Sequence, residues 1–304
     1  MKMSLFASIA GLLLAVAPKA VAAPDCYFPD VDMTALAAQT EFNKPYIFLG
    51  ELHGNVQSPT FTAELVCAFA AAGKRVLLAV ETPENVQVPI KNPDGTVSFA
   101  ENDDGLSASY WVRGLPDGRT SEAYIDMIIT AHALEEQGLS VKTIFADVPW
   151  GNPSLEIASR DEWMMENVAK AKAAGAFDIV VFLSGNFHNR LPHNLSGGPS
   201  DTLLHYVDPA ITFSINLTAR HGTSWACFGR NQCGVQQFGE PRKGDLRPVN
   251  QLILEEDVES YHALFRFPEY VASPPLTVLS PHEKQGPQKI EPLESVKASA
   301  PTAP

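Results

Sequence analysis

Apolar runs rich in β-branched and aromatic residues recur along the chain, and each ends in polar or turn-forming residues. Three stretches between them are predicted helices, at residues 60–72, 121–137 and 159–174, and a glycine follows each. Helices that stop at glycine and lead into continuous apolar strands are typical of βαβ units with a buried parallel sheet. The pattern predicts an α/β protein with an open, mostly parallel β-sheet flanked by helices. The runs read YIFLG, RVLLAV, VKTIFA, DIVVFLSG, ITFSINL and YHALFRF.

Two parts of the chain do not follow this alternation. Residues 84–120 are rich in Gly, Pro, Asp and Asn, which predicts an irregular insertion over one edge of the sheet. Long loops of this kind often serve as lids or binding loops, although some are only irregular excursions. From about residue 280 the composition is that of a disordered tail.

The first residues have the pattern of a cleavable secretory signal. Lys2 supplies a positive charge, residues 5–17 are apolar, and Ala20-Val21-Ala22 is a small-x-small cleavage site. The apolar stretch is short for a membrane span, and no second run of about 18 apolar residues follows. The residues before Cys26 do not resemble a lipoprotein attachment site. We therefore expect a periplasmic or secreted protein with a signal at 1–22, one α/β domain at 23–279 and a disordered tail at 280–304.

Charge narrows the range of partners. Loss of residues 1–22 removes Lys2 and Lys19 and no acid, so the formal charge moves from −13 to −15. Such an acidic chain argues against nucleic acid or an anionic membrane as the partner. A small-molecule or peptide ligand remains, and the oligomeric state stays open.

Four cysteines are present, an even number for a chain expected in an oxidising compartment. Cys227 and Cys233 flank a short segment with turn-forming glycines, which favours a local disulfide. Cys26 would then pair with Cys67. Four cysteines allow three pairings, and the sequence alone does not choose among them. Free buried thiols are less favoured in an exported chain, and the spacings do not suit zinc.

Acidic residues and histidines follow four successive apolar runs. In open α/β sheets the carboxyl edge is where ligands bind, because the loops that leave it converge in a crevice. If these strands are adjacent and parallel, the five side chains lie near one pocket. Glu51 and His53 follow YIFLG, Glu81 follows RVLLAV, Asp147 follows VKTIFA, and His188 follows DIVVFLSGNF.

This set of residues suits two kinds of chemistry. His53, His188, Glu51, Glu81 and Asp147 are candidate ligands of a divalent metal that activates water. Without a metal, Glu51 or Glu81 is a candidate general base, His53 and His188 are candidate proton shuttles, and Asp147 would orient one of the two histidines. No Gly-x-Ser-x-Gly elbow is present, so water is the expected nucleophile. A single acid after a strand is more often a turn former or helix cap, and only the repeated placement favours a site.

Basic residues near the insertion are candidates for binding a polar or acidic substrate group. Arg113, Arg119 and Arg190 are the main ones. Arg160 and Asp161, at the start of a predicted helix, are placed to reach the same edge. The alternative for each arginine is an ordinary solvated or paired surface role.

The ordered motifs resemble a superfamily that joins erythromycin esterases, ChaN-type haem-binding lipoproteins and Tiki/TraB-type proteins. The motifs are Gly50-Glu51-Leu52-His53-Gly54, Glu81 at the end of the second strand, and Gly185-Asn186-Phe187-His188. The resemblance extends to DGRTS at 117–121, SRDEWMMENV at 159–168 and the segment 261–275. It covers most of the expected mature chain, from about residue 46 to residue 275.

The resemblance implies different functions for its three branches. Erythromycin esterases activate water against a lactone with a Glu/His cluster, and Glu51, His53, Glu81 and His188 are the equivalents by position. Their first motif usually has two residues between Glu and His, whereas this chain has one. ChaN-type proteins share the shorter spacing and bind haem. Tiki-type proteins are metal-dependent peptidases with Gly-x-x-His motifs, which favours a divalent metal.

Three hypotheses follow from the sequence. The first is an exported hydrolase that acts on an ester, lactone or peptide. The second is a haem-binding or metal-binding uptake protein without turnover. The third is a catalytically silent interaction domain that keeps the fold. The site is expected to carry over between relatives better than the substrate does.

Overall fold

The regular structure is given by a computed structural model that describes nine stretches of the chain. These are residues 24–92, 97–100, 105–113, 118–151, 159–192, 201–227, 233–239, 248–254 and 260–275. Their strands are β1 (Tyr46–Glu51), β2 (Val76–Pro83), β3 (Ile90–Lys91), β4 (Val97–Ser98), β5 (Val141–Asp147), β6 (Ile179–Gly185), β7 (Thr212–Ala219), β8 (Gly222–Cys227), β9 (Cys233–Phe238), β10 (Leu252–Leu254) and β11 (Ala263–Phe267). Their α-helices are α1 (Met33–Ala37), α2 (Gln57–Ala71), α3 (Leu106–Arg113), α4 (Glu122–Glu136) and α5 (Arg160–Gly175). Short 3-10 helices lie at Thr40–Asn43, Leu203–Tyr206 and Pro209–Ile211.

One sheet of seven strands organises the domain, in the order β10-β11-β7-β1-β6-β2-β5. Neighbouring strands run parallel, except that the edge strand β10 is antiparallel to β11. Two separate antiparallel pairs join β3 to β4 and β8 to β9. The open, mostly parallel α/β sheet that the apolar runs predict is confirmed.

Both faces of the sheet are covered, which explains why the strands read as continuous apolar runs. Along β1, Ile47 and Leu49 pack in the core that includes side chains of α1, α2 and α4. Phe48 points to the opposite face and packs with residues of α5. All three side chains have no exposed surface. Burying one such side chain contributes about 1.5–3 kcal/mol, so the two cores fix the register of the central strands.

The predicted helices begin and end close to the expected positions. Ser121 caps α4, and its hydroxyl accepts a hydrogen bond from the backbone N–H of Tyr124 at 3.4 Å. Helix α5 differs from the expectation, because Gly175 is still helical and Ala176 adopts the left-handed conformation with φ of 49°. The glycine instead leaves room for a neighbouring ring, since a Cβ at this position would lie 2.1 Å from Cε2 of Phe177.

The insertion predicted at 84–120 contains regular structure as well as irregular segments. Strands β3 and β4 and helix α3 lie within it. Tyr110 and Trp111 of α3 are buried, and the indole N–H of Trp111 donates to the carbonyl oxygen of Gln87 at 3.0 Å. The ring of Trp111 also packs against Phe145 of β5 at 6.1 Å. Aromatic side chains therefore attach this part of the insertion to the domain, a contact that its loop-like composition did not reveal.

Two disulfides join all four cysteines. Cys26–Cys67 links the segment before α1 to helix α2, and Cys227–Cys233 closes the β8–β9 pair. Both match the favoured pairing. The predicted signal at 1–22 and the predicted tail at 280–304 lie outside the described residues. Across the described stretches, every helix is too short or too polar to cross a membrane.

Candidate functional site

The predicted site lies at the carboxyl ends of four strands that are neighbours in the sheet. Strands β1, β6, β2 and β5 follow one another in that order and run parallel. Glu51 ends β1, Glu81 lies in the last part of β2, and Asp147 ends β5. His53 follows β1 by two residues and His188 follows β6 by three. The condition on which the predicted pocket depended, adjacent parallel strands, is therefore met.

Glu81 lies at the centre of the site and is only 2% exposed. Its Oε2 accepts a hydrogen bond from the backbone N–H of Gly185 at 2.7 Å. Its Oε1 accepts from Arg119 Nη1 at 2.7 Å and from Arg160 Nη2 at 2.6 Å. Burial of a carboxylate is costly unless it is paired and hydrogen-bonded. The two guanidinium groups and the amide supply those partners, which keeps Glu81 ionised.

Arg160 connects Glu81 to the end of β5. Its Nε donates to Asp147 Oδ1 at 2.7 Å, and its Nη2 donates to Asp147 Oδ2. Asp147 Oδ1 also accepts from the backbone N–H of Val148 at 2.8 Å. Asp147 thus orients an arginine, whereas the sequence suggested that it would orient a histidine.

His53 lies between two carboxylates. Its Nδ1 lies 2.9 Å from Glu51 Oε1, and its Nε2 lies 3.5 Å from Glu81 Oε2. Burial lowers the pKa of His53, but the charge of Glu81 and the hydrogen bond to Glu51 outweigh it and raise the pKa to about 10. The ring is therefore an imidazolium at neutral pH, with 19% of its side chain exposed.

The raised pKa of His53 predicts a pH-dependent stability. The folded-state pKa of about 10 lies above the ordinary value of 6.5. The stabilisation is thus complete below about pH 6.5 and is lost as pH rises through about 10. One pKa unit corresponds to about 1.4 kcal/mol. We therefore expect the stability advantage of wild type over His53→Gln, measured by urea unfolding, to fall by several kcal/mol between pH 7 and pH 10.

A matched histidine on the surface controls for this effect. His132 on α4 is 52% exposed and lies near Glu135 and Glu136. Because substitutions of exposed side chains usually change stability little, His132→Gln is expected to change the free energy of unfolding by less than about 0.5 kcal/mol at pH 7 and at pH 10. A His53→Gln difference that is equally constant would contradict the imidazolium assignment.

His188 has a different environment from His53. Its Nδ1 lies 2.5 Å from Asp161 Oδ1, and its Nε2 lies 3.1 Å from Arg160 Nη1. An arginine N–H only donates, so Nε2 accepts and Nδ1 carries the proton that is donated to Asp161. With these partners, Nδ1 is the donor of the ring and Nε2 is the acceptor on the side of Arg160. The side chain is 19% exposed.

The loop after β6 brings His188 close to Glu81 and His53. His188 Nε2 lies 3.6 Å from Glu81 Oε1. Gly185 permits this crowding, because a Cβ at that position would lie 2.9 Å from His53 Nε2. The backbone N–H of Asn186 donates to the carbonyl oxygen of Glu51 at 2.9 Å, which ties the loop to the end of β1.

The predicted metal ligands do not fit a divalent ion in this arrangement. Among the described residues, no group of three or more His, Cys, Asp and Glu side chains could hold a metal ion. Two of the five predicted ligands already bind other groups: the oxygens of Glu81 and Asp147 accept hydrogen bonds from guanidinium or backbone N–H groups. Two guanidinium charges beside these oxygens would also repel a cation.

The three predicted substrate-binding arginines lie in different surroundings. Arg119 is 6% exposed and belongs to the buried network around Glu81. The guanidinium of Arg190 stacks on the ring of Phe187, 4.4 Å from its centroid, and Phe187 is 54% exposed. The side chain of Arg113 lies outside the described residues.

Arg160 and Asp161 have larger roles than the sequence indicated. Arg160 contacts the side chains of Glu81, Asp147 and His188, and Asp161 is 4% exposed beneath His188. Both belong to the first turn of α5. A helix that connects parallel strands begins at the carboxyl edge of the sheet, so its first turn lies beside any site there. The adjacent charged residues Arg160 and Asp161, at the start of a predicted helix, were the sequence feature that could have indicated these roles.

An α/β domain of this kind is also seen in solved structures. No protein-family model and no curated protein matches the chain. A crystal structure of a protein from Bacillus cereus has a TM-score of 0.51 at 10% identity and covers 82% of this chain and 95% of that one. A mutant of the erythromycin esterase EreC in its open conformation has a TM-score of 0.49 at 10% identity, covering 78% and 94%. ChaN of Campylobacter jejuni, in a structure of cofacial haem binding, has a TM-score of 0.30 at 8% identity, covering 73% and 87%.

These likenesses concern the fold. The open, mostly parallel α/β fold predicted from the sequence is shared with the Bacillus cereus protein. An esterase and a haem-binding protein are both among the structures that the chain is similar to. At this level of identity the choice between functions depends on the site.

Proposed function

We propose that the protein is a hydrolase that activates water for attack on an ester, lactone or peptide carbonyl, with His188 as the general base. The observation that carries this proposal is the hydrogen bond between Asp161 and His188. Asp161 accepts from Nδ1 of His188 at 2.5 Å, so that Nε2 presents its lone pair. A carboxylate that orients an imidazole in this way is the arrangement that water-activating and nucleophile-activating sites use.

In the proposed reaction, His188 moves one proton. Its Nε2 accepts a proton from water as the water oxygen forms a bond to the carbonyl carbon. The same proton passes from Nε2 to the leaving oxygen or nitrogen when the carbonyl–leaving-group bond breaks. Asp161 stabilises the imidazolium in the interval. The planar guanidinium of Arg160 must move as one unit away from Nε2 to admit the water, because Nη1 cannot turn separately from Nε and Nη2.

His53 supplies positive charge for the oxyanion that forms on the substrate carbonyl. Its pKa of about 10 keeps it protonated. Its Nε2–H is 3.5 Å from Glu81 Oε2, a distance at which the hydrogen bond is weak. A developing oxyanion is a better acceptor for this N–H. The two histidines thus have opposite roles because their partners hold them in different protonation states.

Glu81 is better suited to positioning than to proton transfer. Burial raises its pKa, but the charge and hydrogen bond of His53 and the charges of Arg119 and Arg160 lower it well below the ordinary value. A carboxylate with a lowered pKa is a weak base. We therefore assign the general base to His188, in place of the Glu51 or Glu81 suggested by the sequence.

We also propose that the protein works outside the cytoplasm. Two disulfides support this location, because such bonds form and persist in oxidising compartments. The predicted signal at residues 1–22 supports it independently.

Turnover by protein purified from an oxidising compartment tests the proposal. We expect hydrolysis of at least one member of a panel of aryl esters, lactones and short peptides, and we expect the rate to survive dialysis against EDTA, because arginines occupy the candidate metal ligands. A folded protein that hydrolyses no member of the panel would contradict the proposal. So would a rate that disappears with EDTA and returns with added metal.

An absorption spectrum of the same preparation tests the uptake hypothesis. Haem binding, which the sequence predicted as the alternative, remains a prediction. A Soret band after haem addition that is lost in His53→Ala or His188→Ala, in protein without turnover, would favour uptake over hydrolysis.

A further inference from the structure

A pocket of about 210 Å³ lies beside Arg160, on the side of β5. Tyr110 and Trp150 form part of its wall, with their rings edge to face and 5.4 Å between centroids. Pro83 and Pro149 add apolar surface, and the guanidinium of Arg160 faces the same space. Arg160 also contacts His188, so one side chain joins the pocket wall to the proposed general base.

Contacts within the protein fix the positions of Trp150 and Tyr110, the aromatic residues of the pocket wall. The side-chain amide of Asn85 donates to the carbonyl oxygen of Trp150 at 3.0 Å, and its Oδ1 accepts from the backbone N–H of Trp150 at 2.7 Å. Tyr110 is only 1% exposed and belongs to the core cluster. A wall fixed before binding loses little freedom when a ring enters, which favours affinity.

The positive charge at the pocket is already balanced. Arg119 and Arg160 line it, and their guanidinium groups are paired with the carboxylates of Glu81 and Asp147. The four charges cancel. A charged substrate group would thus find no net opposite charge, and would lose its hydration without compensation.

The hydrogen-bonding capacity of Arg160 is nearly used. A guanidinium has five N–H groups. Nε bonds Asp147, Nη2 bonds Asp147 and Glu81, and Nη1 bonds His188. One Nη1 N–H therefore remains available, as far as the described residues go. This leaves a site for one acceptor, such as a carbonyl oxygen, and rules out a bidentate grip on a carboxylate.

From these observations we propose that the pocket is the substrate-recognition site, and that it binds an uncharged aromatic or similarly sized apolar ring. A carbonyl next to the ring accepts from Arg160 Nη1. This inference rests on the proposed hydrolase function and adds the substrate class to it. The volume agrees, because an apolar cavity of about 150 Å³ binds benzene. Thus 210 Å³ accommodates one ring and a few more atoms.

A charge series of ligands with one ring tests the inference. Benzamide is neutral, benzoate is an anion and benzamidine is a cation, and all three have nearly the same shape. The full chain, labelled with ¹⁵N-tryptophan, is titrated with each compound, and the indole signal of Trp150 is identified by its loss in Trp150→Phe. We expect benzamide to shift this signal and to bind at least 10-fold more tightly than benzoate or benzamidine. Benzoate or benzamidine binding as tightly as benzamide would overturn the proposal.

Variants locate the binding and check the fold. Trp150→Ala is expected to weaken benzamide binding about 10-fold or more, whereas Trp150→Phe, which keeps a ring, is expected to stay within about 3-fold of wild type, since an aromatic pair contributes about 0.5–1.5 kcal/mol. Trp163→Phe, outside the pocket lining, is the control. If Trp150→Ala unfolds more easily than wild type, the location of binding is judged from two other results: the affinity of Trp150→Phe for benzamide and the shift of the Trp150 indole signal in wild type. Unchanged affinity in a folded Trp150→Ala protein would overturn the proposal.

Binding and turnover separate this inference from the proposed function. His188→Gln is expected to lower kcat by about 10³-fold and to keep benzamide binding within a few-fold, because His188 does not line the pocket. Charge-selective benzamide binding at Trp150 without turnover in wild type would support the pocket and contradict the hydrolase. Turnover without benzamide binding would overturn the proposed role of the pocket and leave the proposed hydrolase function standing.

Discussion

His188→Gln is expected to lower kcat by about 10³-fold, within the range that general base catalysis contributes. Glutamine is close in size to histidine, and its amide N–H and oxygen are suited to the places of the Nδ1–H donor and the Nε2 acceptor. The amide does not accept a proton from water, so the fold stays intact while the chemical step fails. We expect KM to change little. Steady-state kinetics on the best member of the ester, lactone and peptide panel, with urea unfolding in parallel, measures both.

Two variants on the same turn of α5 sharpen this test. Asp161→Asn removes the charge that stabilises the His188 imidazolium and should lower kcat about 100-fold, by the loss of a charged hydrogen-bond partner. Glu162→Gln also removes one negative charge from this turn, but Asp161 and not Glu162 accepts from His188 Nδ1. This control variant should therefore leave kcat nearly unchanged. If His188→Gln retains most of its turnover, the base lies elsewhere and Glu51 becomes the next candidate.

Glu81→Gln is expected to lower the free energy of unfolding by about 3–5 kcal/mol, the usual cost of removing one partner of a buried ion pair. Glu81 accepts from both Arg119 and Arg160. Its loss leaves the two guanidinium groups beside Asp147, whose Oδ2 lies 3.5 Å from Arg119 Nη1 and accepts a hydrogen bond from Arg160 Nη2. The pKa of His53 should fall as well, because Glu81 is the largest of the charges that raise it. Urea unfolding and NMR titration of the imidazole measure the two effects.

Glu84→Gln is the matched control, because Glu84 lies three residues further along and is exposed. It should change the free energy of unfolding by less than about 0.5 kcal/mol. Adding Arg119→Met to Glu81→Gln removes one of the two guanidinium charges that Glu81 balances and should recover part of the lost stability, which a double-mutant cycle reports as coupling. Equal free energies of unfolding for Glu81→Gln and Glu84→Gln would contradict the central role assigned to Glu81.

The sequence predicted where the site lies, but it did not predict which residues of the site contact one another. Glu51, Glu81 and Asp147 end apolar runs, and parallel strands place such residues at one edge. The sequence did not reveal that β6 inserts between β1 and β2. That order, set by packing over the whole sheet, brings the loop with Gly185 and His188 against Glu81.

The roles of the arginines were harder to predict for a physical reason. An arginine near a site is usually solvated, and no local pattern distinguishes it from a buried one. Arg119 and Arg160 come from an insertion and from a helix start, far apart in sequence, and only the tertiary fold joins them at Glu81. Their pairing changes the expected chemistry, because it removes the carboxylate oxygens on which a metal site would depend.

The two disulfides have a consequence for how the protein is made. Cys26 joins Cys67, and Cys227 joins Cys233, so each cysteine is paired with its nearest neighbour in sequence. A chain that emerges amino end first into an oxidising compartment exposes its thiols in that same order. Of the three pairings that four cysteines allow, the native one is then reached by successive oxidation without rearrangement. Production of the native protein should therefore require a thiol oxidase and be independent of a disulfide isomerase.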